Sequence, residues 1–249
     1  MSKTDHNSVA TAGEVDTLTV ASYNIHQCVG TDGRRDPGRV GRVILEVDAQ
    51  VVGLQEVESK SGGGLEDAQM EYLAQATGLE AIAGPTIQRM DSYYGNVLLT
   101  RYPIAEIRLV DLSVPGREPR GVIDAMLDIY GRAVRVIVTH LGLTRYERRH
   151  QVKRLIHILG DDRKQPVILL GDTNEWFPLS STIRTLHQSL GKAPAKPTFP
   201  ARFPLLSLDR IWVRPTEALA SVWAHESPLA KIASDHLPLK VNVELRQLV

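Results

Sequence analysis

The residues best suited to chemistry stand at the ends of apolar runs. Val167 to Leu170 lead directly into Gly171, Asp172, Thr173 and Asn174, which puts a carboxylate and a carboxamide two residues apart at a turn. The pattern recurs. The run LTVASYN ends at Asn24 with His26 just beyond, AQVVGLQE ends at Gln55 and Glu56, AVRVIVTH ends at Thr139 and His140, and Ser234-Asp235-His236 precedes a last run from Leu237 to Val243. Asp209 lies at the mouth of SLDRIWV. Alternation along an extended chain lets residues two apart point the same way, so Asp172 and Asn174 are able to address one group. Brought together, these positions offer carboxylates, carboxamides and histidines suited to a hard, oxygen-liganded cation and a phosphate. Each has a plainer reading alone, because Asp and Asn are ordinary turn formers and a lone histidine is commonly satisfied by hydrogen bonds. Their recurrence at strand ends, where an open α/β sheet places its ligands, carries the inference.

The elements that must position them are short, β-branched runs bounded by Gly, Pro or polar residues: 18–24, 49–56, 95–100, 121–129, 133–140, 166–172, 207–213 and 237–243. Helical patterns separate several of these strands. The clearest is 144–159, where Val152, Leu155, Ile156 and Leu159 fall on one face and Arg148, Arg149, Lys153 and Arg154 are expected largely outward. Further helices are expected at 37–47, 66–77 and 179–190, a hairpin turn at Gly131, and a flexible loop at Ser61 to Gly64. Strands following both helices and other strands imply mixed sheets.

Composition narrows the class. At 249 residues, 43% hydrophobic and 23% charged, the chain fits one large soluble domain, read as 17–249 behind a loose tail at 1–16. No apolar run is long enough to span a bilayer and the N-terminus lacks a secretory segment, so a cytoplasmic protein is expected. The single Cys28 excludes an internal disulfide, and zinc-type Cys/His spacing is absent. With 29 basic and 29 acidic residues, the chain as a whole lacks the positive field of a committed polyanion binder, although a local basic rim remains compatible.

The stretches SYNIH, VVGLQEV, GNVLLTRYPI, REPRG, VIVTHLG, VILLGDTNEW, LDRIWV and SDHLPL resemble, in order, the endonuclease/exonuclease/phosphatase superfamily. That superfamily includes pancreatic deoxyribonuclease, abasic-site endonucleases, sphingomyelinases and inositol-polyphosphate phosphatases. The resemblance extends over about Leu18 to Leu245 and is closest to compact bacterial members of unassigned substrate. It implies an α/β four-layer sandwich, two mixed sheets face to face with helices outside. It further implies that Glu56 is the principal Mg²⁺ ligand with Asn24 beside it and Asp235 contributing across the cleft, with Mn²⁺ able to substitute. Asp172 would orient or deprotonate the attacking water and Asn174 would donate to the phosphoryl group. His236, held in its tautomer by Asp209, would bond a phosphate oxygen, and His140 would face it.

His26 stands where the abasic-site enzymes resembling this chain carry an acidic residue, and His140 where they carry a tyrosine, which favours the deoxyribonuclease, sphingomyelinase and phosphatase style of site. Arg117 and Arg120 are candidates for phosphate contact, since guanidinium pairs bidentately with phosphate; exposed hairpin arginines are the plain alternative. Asn96 and His26 are further substrate-side candidates, a strand-edge role being the alternative for Asn96. Arg145, Arg148 and Arg149 read as a solvated helical face. Trp176, Phe177, Tyr93 and Tyr94 are able to wall a pocket or to pack in the core. Low aromatic content, 5%, argues against a committed single-strand binder. The leading expectation is a metal-dependent phosphodiesterase or nuclease acting on a phosphate ester, either nucleic acid or a small phosphorylated compound. A phosphomonoesterase acting on a metabolite or lipid headgroup, and a non-catalytic interaction domain, are the alternatives.

Overall fold

A computed structural model describes residues 17–60, 62 and 64–248; the expected tail at 1–16 and part of the loop at 61–64 lie outside the described residues. Among the described residues, eleven strands form two sheets. The first has six, in the order β10 (Leu219–Ala224), β11 (Leu239–Glu244), β1 (Thr17–Asn24), β2 (Val51–Lys60), β4 (Ser92–Thr100) and β3 (Glu80–Gln88). The second has five, β5 (Ile104–Asp111), β6 (Gly121–Ile129), β7 (Arg132–His140), β8 (Val167–Asp172) and β9 (Asp209–Arg214). Helices α1 (Pro37–Val47) and α2 (Gln69–Thr77) pack outside the first sheet, while α3 (Arg145–Leu159) and α4 (Ser181–Leu190) pack outside the second; a single turn, α5 (Ala230–Ala233), precedes β11.

Three apolar layers hold this sandwich together. The central one joins the sheets through Val20, Val51 and Leu98 on one side and Ile123, Val138 and Leu170 on the other. At Gly53 the sheets approach so closely that an added Cβ would lie 2.2 Å from Leu170 Cδ1. The outer layers seat α1 and α2 through Val40, Val43 and Leu73, and α3 and α4 through Val152, Leu155 and Ile183. Both sheets are mixed, with one parallel pair each, β1–β2 and β7–β8. A parallel pair needs a crossover. Here α1 and α3 supply it, so the polar ends of β1, β2, β7 and β8 emerge where chemistry is possible.

Helix starts follow local rules. Pro37 follows Asp36, whose carboxylate accepts from the Arg39 amide, and Thr144 with Glu147 makes a reciprocal cap for α3. Helix α2 starts later than expected because 65–67 form a separate turn, and α4 starts at 181 because Ser180 caps it. Three strands were not expected, β3, β5 and β10, and each lies at a sheet edge. The outward reading of Arg148 is corrected: it lies one turn before Val152 on the inner stripe and is 4% exposed, paired with buried Glu175.

Candidate active site

The two parallel pairs end opposite one another. Asn24 and Gln55 are the last register partners of β1 and β2, as His140 and Asp172 are of β7 and β8, and Asp172 pairs with Asp209 on β9. Local irregularities aim the side chains. Glu56 sits where the β2–β4 register shifts, with φ of 58°; such bulges re-aim a strand residue at the expense of backbone strain. Asn174 has φ of 49° on the facing loop. At Gly171, φ is 149° and a Cβ would lie 1.8 Å from the Thr139 carbonyl oxygen, so only glycine permits the bend that presents Asp172.

One carboxamide ties the sheets. Asn24 Nδ2 donates to Glu56 Oε1 at 2.9 Å and to Asp172 Oδ2 at 3.1 Å. Asp172 Oδ1 accepts from the Asn174 amide at 2.8 Å, which fixes the carboxylate at both oxygens. Around Asp172 Oδ2 stand His140 Nε2 at 3.6 Å and His236 Nε2 at 3.7 Å. His236 Nδ1 donates to the fully buried Asp209 Oδ2 at 2.8 Å, and Thr198 Oγ1 donates to that oxygen at 2.6 Å. Ser234 Oγ donates to the Asn24 carbonyl at 2.8 Å, pinning the loop that carries Asp235 and His236 to the end of β1.

The two histidines differ in charge. Burial alone would depress the His236 pKa, but Asp209 and Asp172, with the hydrogen bond to Asp209, outweigh it and raise the pKa to about 10. For His140, burial and then the nearby Arg120 overcome Asp172 and push its pKa down to about 3. Neutral His140 is consistent with its Nε2 lying 3.0 Å from Asn174 Nδ2, which also donates to the Leu141 carbonyl at 2.9 Å. Both amide hydrogens of Asn174 are therefore engaged within the protein.

The cleft, about 550 Å³, is lined by Glu56, Asp172, Asn174, Asp235 and both histidines, and also by Glu58, Arg89, Glu118 and Arg120. Ile87, Tyr94, Leu143, Trp176 and Phe199 supply apolar wall. Arg120 is 5% exposed and donates to Glu118 at 2.6 Å. The remaining expected residues lie elsewhere. Arg117 is exposed on the β5–β6 connection, and buried Asn96 donates to the Gly121 carbonyl at 3.1 Å beneath the cleft. His26 lies on the turn after β1, its Nδ1 3.9 Å from Asp235 Oδ1. Tyr93 turns away to Met70, and Phe177 is outside the lining. Sequence reasoning missed Thr198, which has no local signature, and the Arg148–Glu175 pair, 3.2 Å apart. Arg148 also donates to the Gly142 carbonyl at 3.3 Å, so it braces the loops after β7 and β8 together. Its place on the apolar stripe of α3 is the signal that would have found it.

The order of these elements matches the family model described as the Endonuclease/Exonuclease/phosphatase family over residues 21–236. The chain belongs to that family. It is 32% identical over 253 residues to the protein YbhP of Escherichia coli K12, covering 92% of this chain and 97% of that one. Among solved structures, an endonuclease/exonuclease/phosphatase family protein from Leptotrichia buccalis superposes with a TM-score of 0.73 at 14% identity, over 92% of this chain and 100% of that one. The mannosyl-6-phosphatase of Bacteroides thetaiotaomicron gives 0.68 at 18% identity, over 90% and 98%. These likenesses show the fold, the expected four-layer sandwich. Members of the endonuclease/exonuclease/phosphatase family are phosphoester hydrolases and generally use a divalent metal.

Two groups of donors bear on that metal. Asp172, Asp209 and His236 offer ligand atoms within 4.8 Å of one another. With His236 protonated between two carboxylates, however, this trio already holds its positive charge. Glu56 is the better match. Burial raises its carboxyl pKa first, the Asn24 hydrogen bond opposes this, and Asp172 raises it further. No Lys or Arg among the described residues pairs with it. An oxygen donor set in a pocket whose carboxylates outnumber its cations fits a hard divalent cation.

Proposed function

We propose that this chain is a cytoplasmic, Mg²⁺-dependent phosphodiesterase, with residues 17–249 forming one catalytic domain and Mn²⁺ able to replace Mg²⁺. The observation that carries the reading is the Asn24 carboxamide held between Glu56 and Asp172, which joins a cation-binding carboxylate to a proton-accepting one across the sheet seam. Glu56 and Asn24 would hold the ion, with Asp235 facing them; when bound, it neutralises charge on the phosphoryl oxygens. Asp172 accepts a proton from water as the water oxygen bonds to phosphorus. The bond from phosphorus to the leaving oxygen breaks, that oxygen keeps the electron pair and takes a proton from solvent, and a monoester and an alcohol result. The His236 imidazolium, kept charged by Asp209, stabilises the equatorial oxygens as charge accumulates there. Asn174 donates to the same group by exchanging its His140 partner for a phosphoryl oxygen. Arg120 borders the substrate from the opposite wall.

A diester is favoured over a monoester by the charge of the lining. Five carboxylates, Glu56, Glu58, Glu118, Asp172 and Asp235, face two arginines and one imidazolium, and Arg120 is already paired. A dianionic monoester calls for more unpaired positive charge. The test is hydrolysis of bis(4-nitrophenyl) phosphate against 4-nitrophenyl phosphate with Mg²⁺, Mn²⁺ or chelator, for the wild type and Asp172→Asn. Metal-dependent diester turnover that is lost in the variant supports the reading. Preferential monoester turnover replaces it with a phosphatase, and failure of Mg²⁺ to protect the protein against heat sinks the metal site altogether.

A further inference from the structure

Exposed apolar residues are concentrated beside the mouth of the cleft. Leu143 on the loop after β7, Trp176, Phe177 and Leu179 on the loop after β8, and Phe203 and Leu205 on the loop before β9 are all exposed, Leu179 at 84% and Leu205 at 77%. Leu143 and Trp176 line the cleft itself, as does Phe199 at the base of the third loop. Large apolar side chains exposed together on loops that meet at one cleft mark an interaction site.

The charge of the same flank is one-sided. Arg145, Arg149 and Lys153 recur every fourth residue on α3, which puts them in one exposed row beginning next to Leu143. None of the three pairs with a carboxylate among the described residues. Like charges four apart disfavour a helix, so local stability gives no reason for the row. From Trp176 to Leu208 the sequence has no Asp or Glu, while it carries Arg184, Lys192, Lys196 and Arg202. The acidic residues that adjoin these segments in sequence, Glu147, Glu175 and Asp209, are buried.

Aliphatic and aromatic side chains projecting from loops, flanked by unpaired cations, match the two halves of a lipid–water interface. The apolar groups enter the acyl boundary while the cations meet anionic headgroups. Nucleic acid would use the cations and the Trp176 ring, but it gives no account of Leu143, Leu179 and Leu205. We propose that this flank docks the protein on an anionic phospholipid surface, with the cleft mouth turned toward the headgroups. The opposite rim, bearing Glu58 and Glu118, stays off the surface. The docking is independent of the hydrolytic reading and can be tested without turnover.

The test is sedimentation of the full chain with vesicles of phosphatidylcholine alone or mixed with phosphatidylglycerol, together with Trp fluorescence. Selective binding to the mixed vesicles, weakening with salt and blue-shifting emission, is expected. The blue shift disappears in Trp176→Phe, because Trp212 is already buried and half-buried Trp223 lies on edge strand β10 of the other sheet, under Lys240. Replacing Arg145, Arg149 and Lys153 by Gln lowers the partition coefficient by about 100-fold at low salt. Replacing Trp176, Phe177 and Leu179 by Ser removes the salt-resistant part. Ile107→Ser, an exposed change on edge strand β5, leaves binding intact and serves as the folded control. Absence of vesicle binding by the wild type overturns the proposal. So does binding indifferent to both sets of replacements, and so does tighter, equally residue-dependent binding to a single- or double-stranded oligonucleotide.

Discussion

His140 and His236 stand on two sides of one oxygen, Asp172 Oδ2, at 3.6 and 3.7 Å, and carry opposite protonation at neutral pH. The cause is their other neighbours. His236 has Asp209 behind it, whereas His140 has Arg120 nearby and accepts from Asn174.

The two therefore tilt stability in separate pH windows. The His236 pKa is raised, so its contribution is fully present below about 6.5 and is lost as pH rises toward about 10. The His140 pKa is lowered, so unfolding takes up a proton and stability declines as pH falls from about 6.5 toward about 3. Urea denaturation across pH should show a flatter alkaline limb in Asp209→Asn and a flatter acid limb in His140→Gln. An unchanged alkaline limb in Asp209→Asn contradicts the charged-pair account.

Replacing His236 by Gln keeps a donor but removes the charge. Diester turnover should fall on the order of 10²- to 10³-fold, chiefly in kcat. A rise in KM at constant kcat would mean that His236 only binds substrate.

Glu56 combines a half-buried carboxylate, paired with no Lys or Arg among the described residues, with φ of 58°. Glu56→Gly removes both burdens, so the metal-free protein should be more stable by about 1 kcal/mol, while thermal protection by Mg²⁺ is lost. Scanning calorimetry with and without Mg²⁺ reads both effects. Retained protection would move the ion elsewhere, the Asp172–Asp209–His236 group being the next place to look.

Arg148→Ala strands the Glu175 carboxylate, 2% exposed, and unties the loops after β7 and β8. A loss of about 3–5 kcal/mol in stability is expected, together with reduced kcat as Asn174 loses its support. The double change Arg148→Met with Glu175→Leu should recover most of the stability but little of the activity, because the carbonyl contacts stay missing. Recovery of both would reduce the pair to packing alone.

The strand ends were legible because central strands bury both faces and then release polar residues abruptly, as at Leu170 to Asp172. Edge strands offered no such contrast. β5 is exposed along nearly its whole length, and β3 contains Gly84 and Pro85, so neither shows the alternation of a half-buried strand. Within the site, Asp172, Asn174, Glu56, His140 and His236 were visible as strand-end chemistry, and the family resemblance supplied their grouping. What proximity alone decides was hidden. Nothing in one dimension announces that Thr198 reaches Asp209, that Asn174 has already given both hydrogens to His140 and Leu141, or that Asn96 points at a neighbouring backbone.

The pairing of β11 with β1 has a consequence for how the molecule is made. β1 is synthesised before its neighbour on one side, which is delivered only with residues 239–244, just after Asp235 and His236. A nascent chain on the ribosome holds Asn24 and Glu56 before the residues that complete the cleft have been made. The cleft is completed in one step once residues 235–244 are made, and chains terminated before that point are left with an open sheet edge along β1, the kind that invites pairing with another copy.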